Sequence, residues 1–287
     1  MKSAITISLV AEARGGPFVF WDDLAAGFAA AAQHGFDAVE VFPPHANAVS
    51  IGETRALMEK FSLKIAAVGT GAGWVKHKLR LTDPDPAVRA RAREFIYGII
   101  NLAGYLGAPA IIGSMQGRWE GAVSREQALD WLAEELKALS ERAAAHQQVL
   151  LYEPLNRYET NLLNRNADAV AFVTQRGLKN VKLLCDLYHM NIEEQNLAES
   201  LRQTISTPSA RTAARTRSNA ARVRESRSFH PAVSIRIKRC GLDGSGALSG
   251  PKRPGYPGSP PARCAISIAT CHMSTGDPAC TPIALWL

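Results

Sequence analysis

Two carboxylates stand at the ends of two apolar, strand-like runs. Glu153 closes Val149-Leu150-Leu151-Tyr152, and Asp186 closes Val181-Lys182-Leu183-Leu184-Cys185, with a helical pattern between them. In a strand–helix–strand unit successive strands run parallel, so both acids are expected on one rim of a sheet, where barrel and open α/β enzymes carry their chemistry. Each opens a polar segment: Glu153-Pro154-Leu155-Asn156-Arg157-Tyr158-Glu159-Thr160-Asn161 and Asp186-Leu187-Tyr188-His189-Met190-Asn191-Ile192-Glu193-Glu194. Carboxylates and a neutral imidazole, with water, suit a hard or borderline divalent ion such as Mn²⁺ or Mg²⁺, with Co²⁺ a further candidate. The plainer alternative is that each acid caps the following helix or pairs with Arg157 or Arg165.

The elements that would position these acids alternate regularly. Strands are expected at Ile5–Val10, Ala38–Phe42, Lys64–Val68, Ala110–Gly113, Val149–Glu153 and Val181–Asp186. Between them lie helical patterns starting near Asp22, after Ser50 and Glu53 in capping-box spacing, after Asp83-Pro84-Asp85-Pro86, after Ser124 and Gln127, and over Ala167–Arg176. A last helix begins near Glu194. Alternation of this kind predicts an α/β fold, a TIM (β/α)8-type barrel with six βα units recognisable and the last two missing or replaced by an irregular tail.

Composition changes where the pattern stops, near Gln203. Residues 204–287 hold 12 Lys+Arg against Glu225, Asp243 and Asp277, leaving 21 basic and 23 acidic residues before them out of totals of 33 and 26. The tail also holds nine of the 16 prolines, which exclude helix and central strand; only Ala232–Ile237 looks like a strand. We expect two regions: 1–203, a partial isomerase/epimerase-like barrel, and 204–287, a basic Pro/Arg/Ser-rich irregular tail. The abrupt switch favours an out-of-frame translation over a natural extension. Cys185 alone precedes the tail, and Cys240, Cys264, Cys271 and Cys280 form no zinc-type spacing. With no secretory signal and no run of roughly 20 apolar residues, the expected setting is cytoplasmic, away from membranes. Sparse tail aromatics argue against specific nucleic-acid binding.

The segments Tyr152–Glu159 and Cys185–Asn191 resemble the paired motifs of sugar isomerases and epimerases with the xylose-isomerase-like barrel, most closely the ketose 3-epimerases of the D-tagatose/D-psicose type. Leu81–Arg89 and Gly113-Ser114 match more weakly, and the resemblance covers residues 1–203. It implies a metal-dependent proton transfer through an enediolate on a sugar or sugar phosphate, and is compatible with a homo-oligomer. By this similarity Glu153 is metal ligand and acid/base, Asp186 a second ligand, and Glu159 and His189 contacts to substrate hydroxyls. The family also supplies a His from strand seven, an Arg soon after and a Glu from strand eight, for which this chain shows no counterpart; His230 and Glu225 are nearest by type only.

That gap has a chemical consequence, because inverting a carbon needs a base on one face and an acid on the other. With Glu153 alone, epimerisation is expected to be lost or severely reduced. The alternatives are a non-catalytic sugar-binding remnant, or a hydroxypyruvate or sugar-phosphate isomerase of the same family. Gly69-Thr70-Gly71-Ala72-Gly73 lacks dinucleotide spacing and reads as a flexible rim loop. His34 and His146 read as helix-end residues, whereas His45, His77, Trp74 and Trp119 belong to loops that could face the mouth.

Overall fold

Apolar residues in these strands fall on both sides of the backbone, as in a parallel sheet covered on two faces. The computed structural model of the chain describes residues 2–14, 16 and 18–207, with the backbone of Val233–Ser234 and Ala269–Thr270. Its order is β1 (Ala4–Ser8), β2 (Phe20–Trp21), α1 (Leu24–Gln33), β3 (Ala38–Phe42), α2 (Ile51–Phe61), β4 (Lys64–Gly69), α3 (Ala72–His77), α4 (Pro86–Tyr105), β5 (Ala110–Ile112), α5 (Arg125–Ala145), β6 (Leu150–Tyr152), α6 (Asn166–Gln175), β7 (Val181–Leu183), α7 (Leu187–Glu193) and α8 (Leu197–Ser206). The sheet runs β2-β1-β3-β4-β5-β6-β7, with every pairing parallel. The six expected strands are all present in a TIM-barrel-like arrangement.

Side-chain parity divides the interior in two. The larger core, between sheet and helices, holds Ile7, Val39, Val41, Val68, Ile112, Leu150, Tyr152 and Val181 with Phe28, Ile96, Ile99, Leu132 and Leu136. A smaller cluster of Ala67, Ile111, Leu151 and Leu184 lies on the other face of the sheet, the barrel interior. Because alternate strand residues share a face, two steps beyond Leu151 and Leu184 bring Glu153 and Asp186 to the barrel mouth. By the same parity Glu40 sits on the interior face of β3, level with Thr6, its register partner on β1.

Helix starts follow the capping chemistry in the sequence. Ser50 Oγ accepts from Glu53 N–H, Ser124 Oγ from Gln127 N–H, and Asp85 from Ala87 N–H ahead of Pro86 at the first helical position. Four features depart from expectation. Phe20–Trp21 forms a strand that was not expected, paired parallel with β1. The Gly69–Gly73 segment is not a flexible rim loop: it is mostly buried and passes directly into α3, with Gly73 N–H donating to Thr70 O. Asp186 starts a further helix, α7, rather than ending a strand that stops at Leu183. The last helix opens with Asn196 as its cap and runs to Ser206, past residue 203. Expectations for the tail fall outside the described residues from 208 onward, except that Val233–Ser234, within the expected Ala232–Ile237 strand, pairs antiparallel with Ala269–Thr270.

The contact between α1 and β1 is close enough to test. A Cβ on Gly27 would meet Ile7 side-chain carbons at 2.6–2.9 Å. Alanine should gain about 1 kcal/mol of helix propensity but lose about 1–3 kcal/mol to overpacking. Gly27→Ala is therefore expected to lower the urea midpoint, and Ile7→Ala in the same chain to make the added methyl harmless or helpful; a Gly27→Ala chain at least as stable as the parent would contradict this packing.

Candidate functional site

Glu153 is held by its backbone before its side chain does anything. Its N–H continues the ladder by donating to Ile112 O at 3.0 Å, and its carbonyl accepts from Gln116 Nε2 at 3.0 Å. Gln116, fully buried, also donates to Gly113 O at 3.0 Å and accepts from Tyr152 Oη at 2.5 Å. One amide thus ties the ends of β5 and β6 together directly under the acid. Gly113 completes the seat: a Cβ there would stand 2.8 Å from Glu153 Oε2.

Asp186 arrives from the next strand. Leu184 N–H donates to Tyr152 O at 2.9 Å, continuing the β6–β7 ladder, and Asp186 then caps α7, its Oδ1 accepting from Tyr188 N–H at 2.7 Å. The helix-cap alternative is therefore true of Asp186. The alternative that the arginines neutralise these acids is not: Arg157 pairs with Glu193 at 2.9 Å, and Arg165 lies 3.7 Å from Glu194. Cys185, between the strand and the acid, is a half-buried thiol pushed up to about 12 by desolvation, and its sulfur accepts from Asn166 Nδ2 at 3.2 Å.

Glu153 and Asp186 face each other closely enough to share a hydrogen bond. Burial, then the neighbouring charges of Asp186, Glu40 and Glu159, hold the Glu153 carboxyl well above the usual carboxylate range; burial does the same to Asp186, against the backbone N–H groups that favour its anion. Ligand atoms of Glu153, Asp186 and His189 lie within 4.8 Å of one another. Two carboxylates in one poorly solvated place need a proton or a cation between them, so this donor set fits a divalent ion.

His189, on α7, has Nε2 at 3.9 Å from Glu153 Oε1 and Nδ1 at 3.6 Å from Glu159 Oε1. Desolvation pushes its pKa down to about 4, leaving it neutral at ordinary pH. Glu159 sits at the rim with 44 % of its side chain exposed, and its Oε1 accepts from Asn156 Nδ2 at 3.0 Å. The four residues expected at the site are therefore brought together. Of the other candidates, Trp119 is a rim residue whose main-chain and indole N–H groups bond Asn161, while Trp74 packs against the core. His77 packs on Phe95, His45 precedes a short 3-10 turn, and His34 and His146 end helices as expected. His230 and Glu225 lie outside the described residues.

Three residues had no role assigned from the sequence: Gln116, Asn156 and Glu40. Glu40 had a signal, a carboxylate alternating with valines in Ala38-Val39-Glu40-Val41-Phe42, which points it away from the Val39 and Val41 face. Burial, with the charge of Asp186 adding, pushes it up to about 8.

Two expected outcomes follow from this geometry. Gly113→Ala should displace the Glu153 carboxylate and weaken Mn²⁺ binding in calorimetry by tenfold or more with an unchanged circular-dichroism spectrum; unaltered affinity would show that Gly113 does not set the carboxylate. Glu40 binds its proton more tightly folded than unfolded, so its contribution to stability is present below about 4.5 and is lost as pH rises through about 8. Glu40→Gln should therefore raise metal-free stability by ~1–3 kcal/mol at pH 8, a figure discounted for solvent reaching the interior, and by almost nothing at pH 4. An equal effect at both pH values would contradict a half-buried, titrating Glu40.

Comparison with known proteins agrees with the geometry. The chain is 30% identical over 197 residues to the L-ribulose 3-epimerase of Methylomonas sp. (strain DH-1), covering 65% of this chain and 67% of that protein. It is 31% identical over 175 residues to the D-psicose 3-epimerase of Agrobacterium fabrum, covering 60% of each. A crystal structure of D-psicose 3-epimerase in the presence of D-fructose superposes with a TM-score of 0.58 at 25% identity, over 71% of this chain and 70% of that one. The chain thus spans about three fifths to two thirds of the length of the curated relatives it matches. A family model for the xylose isomerase-like TIM barrel matches residues 28–222, and with a parallel seven-stranded sheet setting paired acids at one mouth, the chain belongs to that family.

Proposed function

We propose that this chain carries the metal and substrate half of a divalent-metal-dependent sugar isomerase or epimerase site, of the kind that epimerises ketoses at C3. The observation that carries this reading is the half-buried Glu153–Asp186 pair, with His189 and Glu159 beside it, while Arg157 and Arg165 pair with Glu193 and Glu194 instead. Glu153 and Asp186 would hold the ion, Mn²⁺ or Mg²⁺ by donor type, with Co²⁺ also suited. A bound divalent ion would neutralise the negative charge that develops on substrate oxygens when a carbon next to a ketone loses its proton.

The protein groups do the rest. Glu153 takes the proton from the carbon beside the ketone on its own face. Glu159 and His189, on the rim side, contact substrate hydroxyls and fix which carbon faces Glu153. Inversion requires a second acid on the opposite face, and Glu153 can occupy only one. By the resemblance, that group is a Glu supplied from strand eight, for which residues 1–203 show no counterpart. Without it, Glu153 removes a proton and returns one to the same face, giving exchange without a new epimer. Residues 1–203 act as the site-bearing unit on this reading, with residues 204–287 as a separate region.

The test is to incubate the chain with Mn²⁺ and D-fructose or D-psicose in D₂O, following the C3 proton by NMR and the epimers by chromatography. Exchange that is lost more than 100-fold in Glu153→Gln, with Mn²⁺ affinity lowered tenfold or more in Asp186→Asn, is the expected result. Epimer formation at ordinary enzymatic rates, of order 1–10³ s⁻¹, would mean that the opposite-face group is present after all. Mn²⁺ binding with no exchange would favour a sugar-binding remnant, and absence of Mn²⁺ binding would overturn the proposal.

A further inference from the structure

Proximity alone would make His189 a third metal ligand beside Glu153 and Asp186. Whether it can be one depends on which ring nitrogen carries the proton, since a neutral imidazole has one lone pair to give. Its Nδ1 is approached by two donors from one residue, Asn156 Nδ2 at 2.8 Å and Asn156 N–H at 3.3 Å. The Asn156 amide cannot be turned round. Its Oδ1 accepts from Tyr158 N–H at 2.9 Å and its Nδ2 also donates to Glu159 Oε1 at 3.0 Å, so a flip would set two donors against each other and two acceptors against each other. Asn156 is 1 % exposed and the His189 side chain 9 %, which leaves little room for water to substitute.

The local charge makes the arrangement informative. Glu159 Oε1, 3.6 Å from Nδ1, would favour a proton on that nitrogen. The amide of Asn156 bonds both groups, satisfying the carboxylate with one of its own hydrogens and the imidazole lone pair with the other. We propose that Asn156 is a positioning residue that holds His189 with its proton on Nε2, so that His189 offers an N–H donor rather than a metal-ligating lone pair to a substrate oxygen bound beside Glu153. This rests on the metal and sugar reading of the mouth only for the use made of the donor; the protonated nitrogen is observable with neither ligand present. The consequence for chemistry is a division of labour, in which the carboxylates take the ion and His189 takes a substrate oxygen.

The experiment is a two-bond ¹H–¹⁵N correlation spectrum of the full chain labelled with ¹⁵N-histidine, His189 being assigned by the signals lost in His189→Gln. A protonated Nε2 and an unprotonated Nδ1 are expected in the metal-free protein, unchanged by saturating Mg²⁺. Asn156→Asp replaces the donor by an acceptor and is expected to bring a proton onto Nδ1. Asn156→Ala, which keeps only the main-chain donor, should give a mixture of both tautomers and serves if the aspartate variant fails to fold. A proton on Nδ1 in the unsubstituted chain, loss of the Nε2 proton on adding Mg²⁺, or an unchanged tautomer in Asn156→Asp would overturn the inference. Mg²⁺ that perturbs no resonance would count against the metal reading alone, because the metal-free spectrum still decides the tautomer.

Discussion

The repulsion between Glu153 and Asp186 is the constraint around which the mouth of this barrel is organised. Two half-buried carboxylates brought this close cannot both ionise at ordinary cost, and both are held above the usual carboxylate range. A fold selected for stability alone would replace one acid or set an arginine beside it. Here Arg157 and Arg165 are committed to Glu193 and Glu194 instead. Strain of this kind is tolerable where a cation or a transferable proton relieves it, which links the electrostatics to the chemistry.

The surroundings make the pair rigid rather than comfortable. Parallel pairing brings the ends of β6 and β7 level, and the ladder continues through Glu153 N–H and Leu184 N–H. Gln116 bridges the two carbonyls under the site, and Gly113 leaves space that any side chain would fill. Above, Thr160 Oγ1 bonds Gly117 O and Asn161 bonds Trp119, fastening the loop after β6 to the loop after β5. Glu159 and Asn156 sit on that fastened loop. The site is therefore built from strand ends and a pinned rim, so small positional errors are not absorbed by loose chain.

The sequence showed some of this and hid the rest for identifiable reasons. β3 was legible to the residue because an alternating run is bounded by turn residues, and α2, α4 and α5 announced themselves by Ser50, Pro86 and Ser124. The pairing of Glu153 with Asp186 was legible because strand parity and parallel topology leave one place for them. Phe20–Trp21 was not, since a two-residue strand carries no periodicity. α3 and α7 were missed because six or seven residues are too few for a helical stripe, and Asp186 looked like a strand end although its position before Leu187 is that of a cap. Asn156 and Gln116 each reach, besides near neighbours, a partner over 30 residues away, His189 and Glu153, which no local pattern reports.

The most direct measurement is anomalous scattering from crystals of the chain equilibrated with Mn²⁺. A single peak in contact with the carboxylates of both Glu153 and Asp186 is the result expected if their opposition exists to hold a cation. No peak at the mouth, or a peak that touches neither acid, would contradict that account.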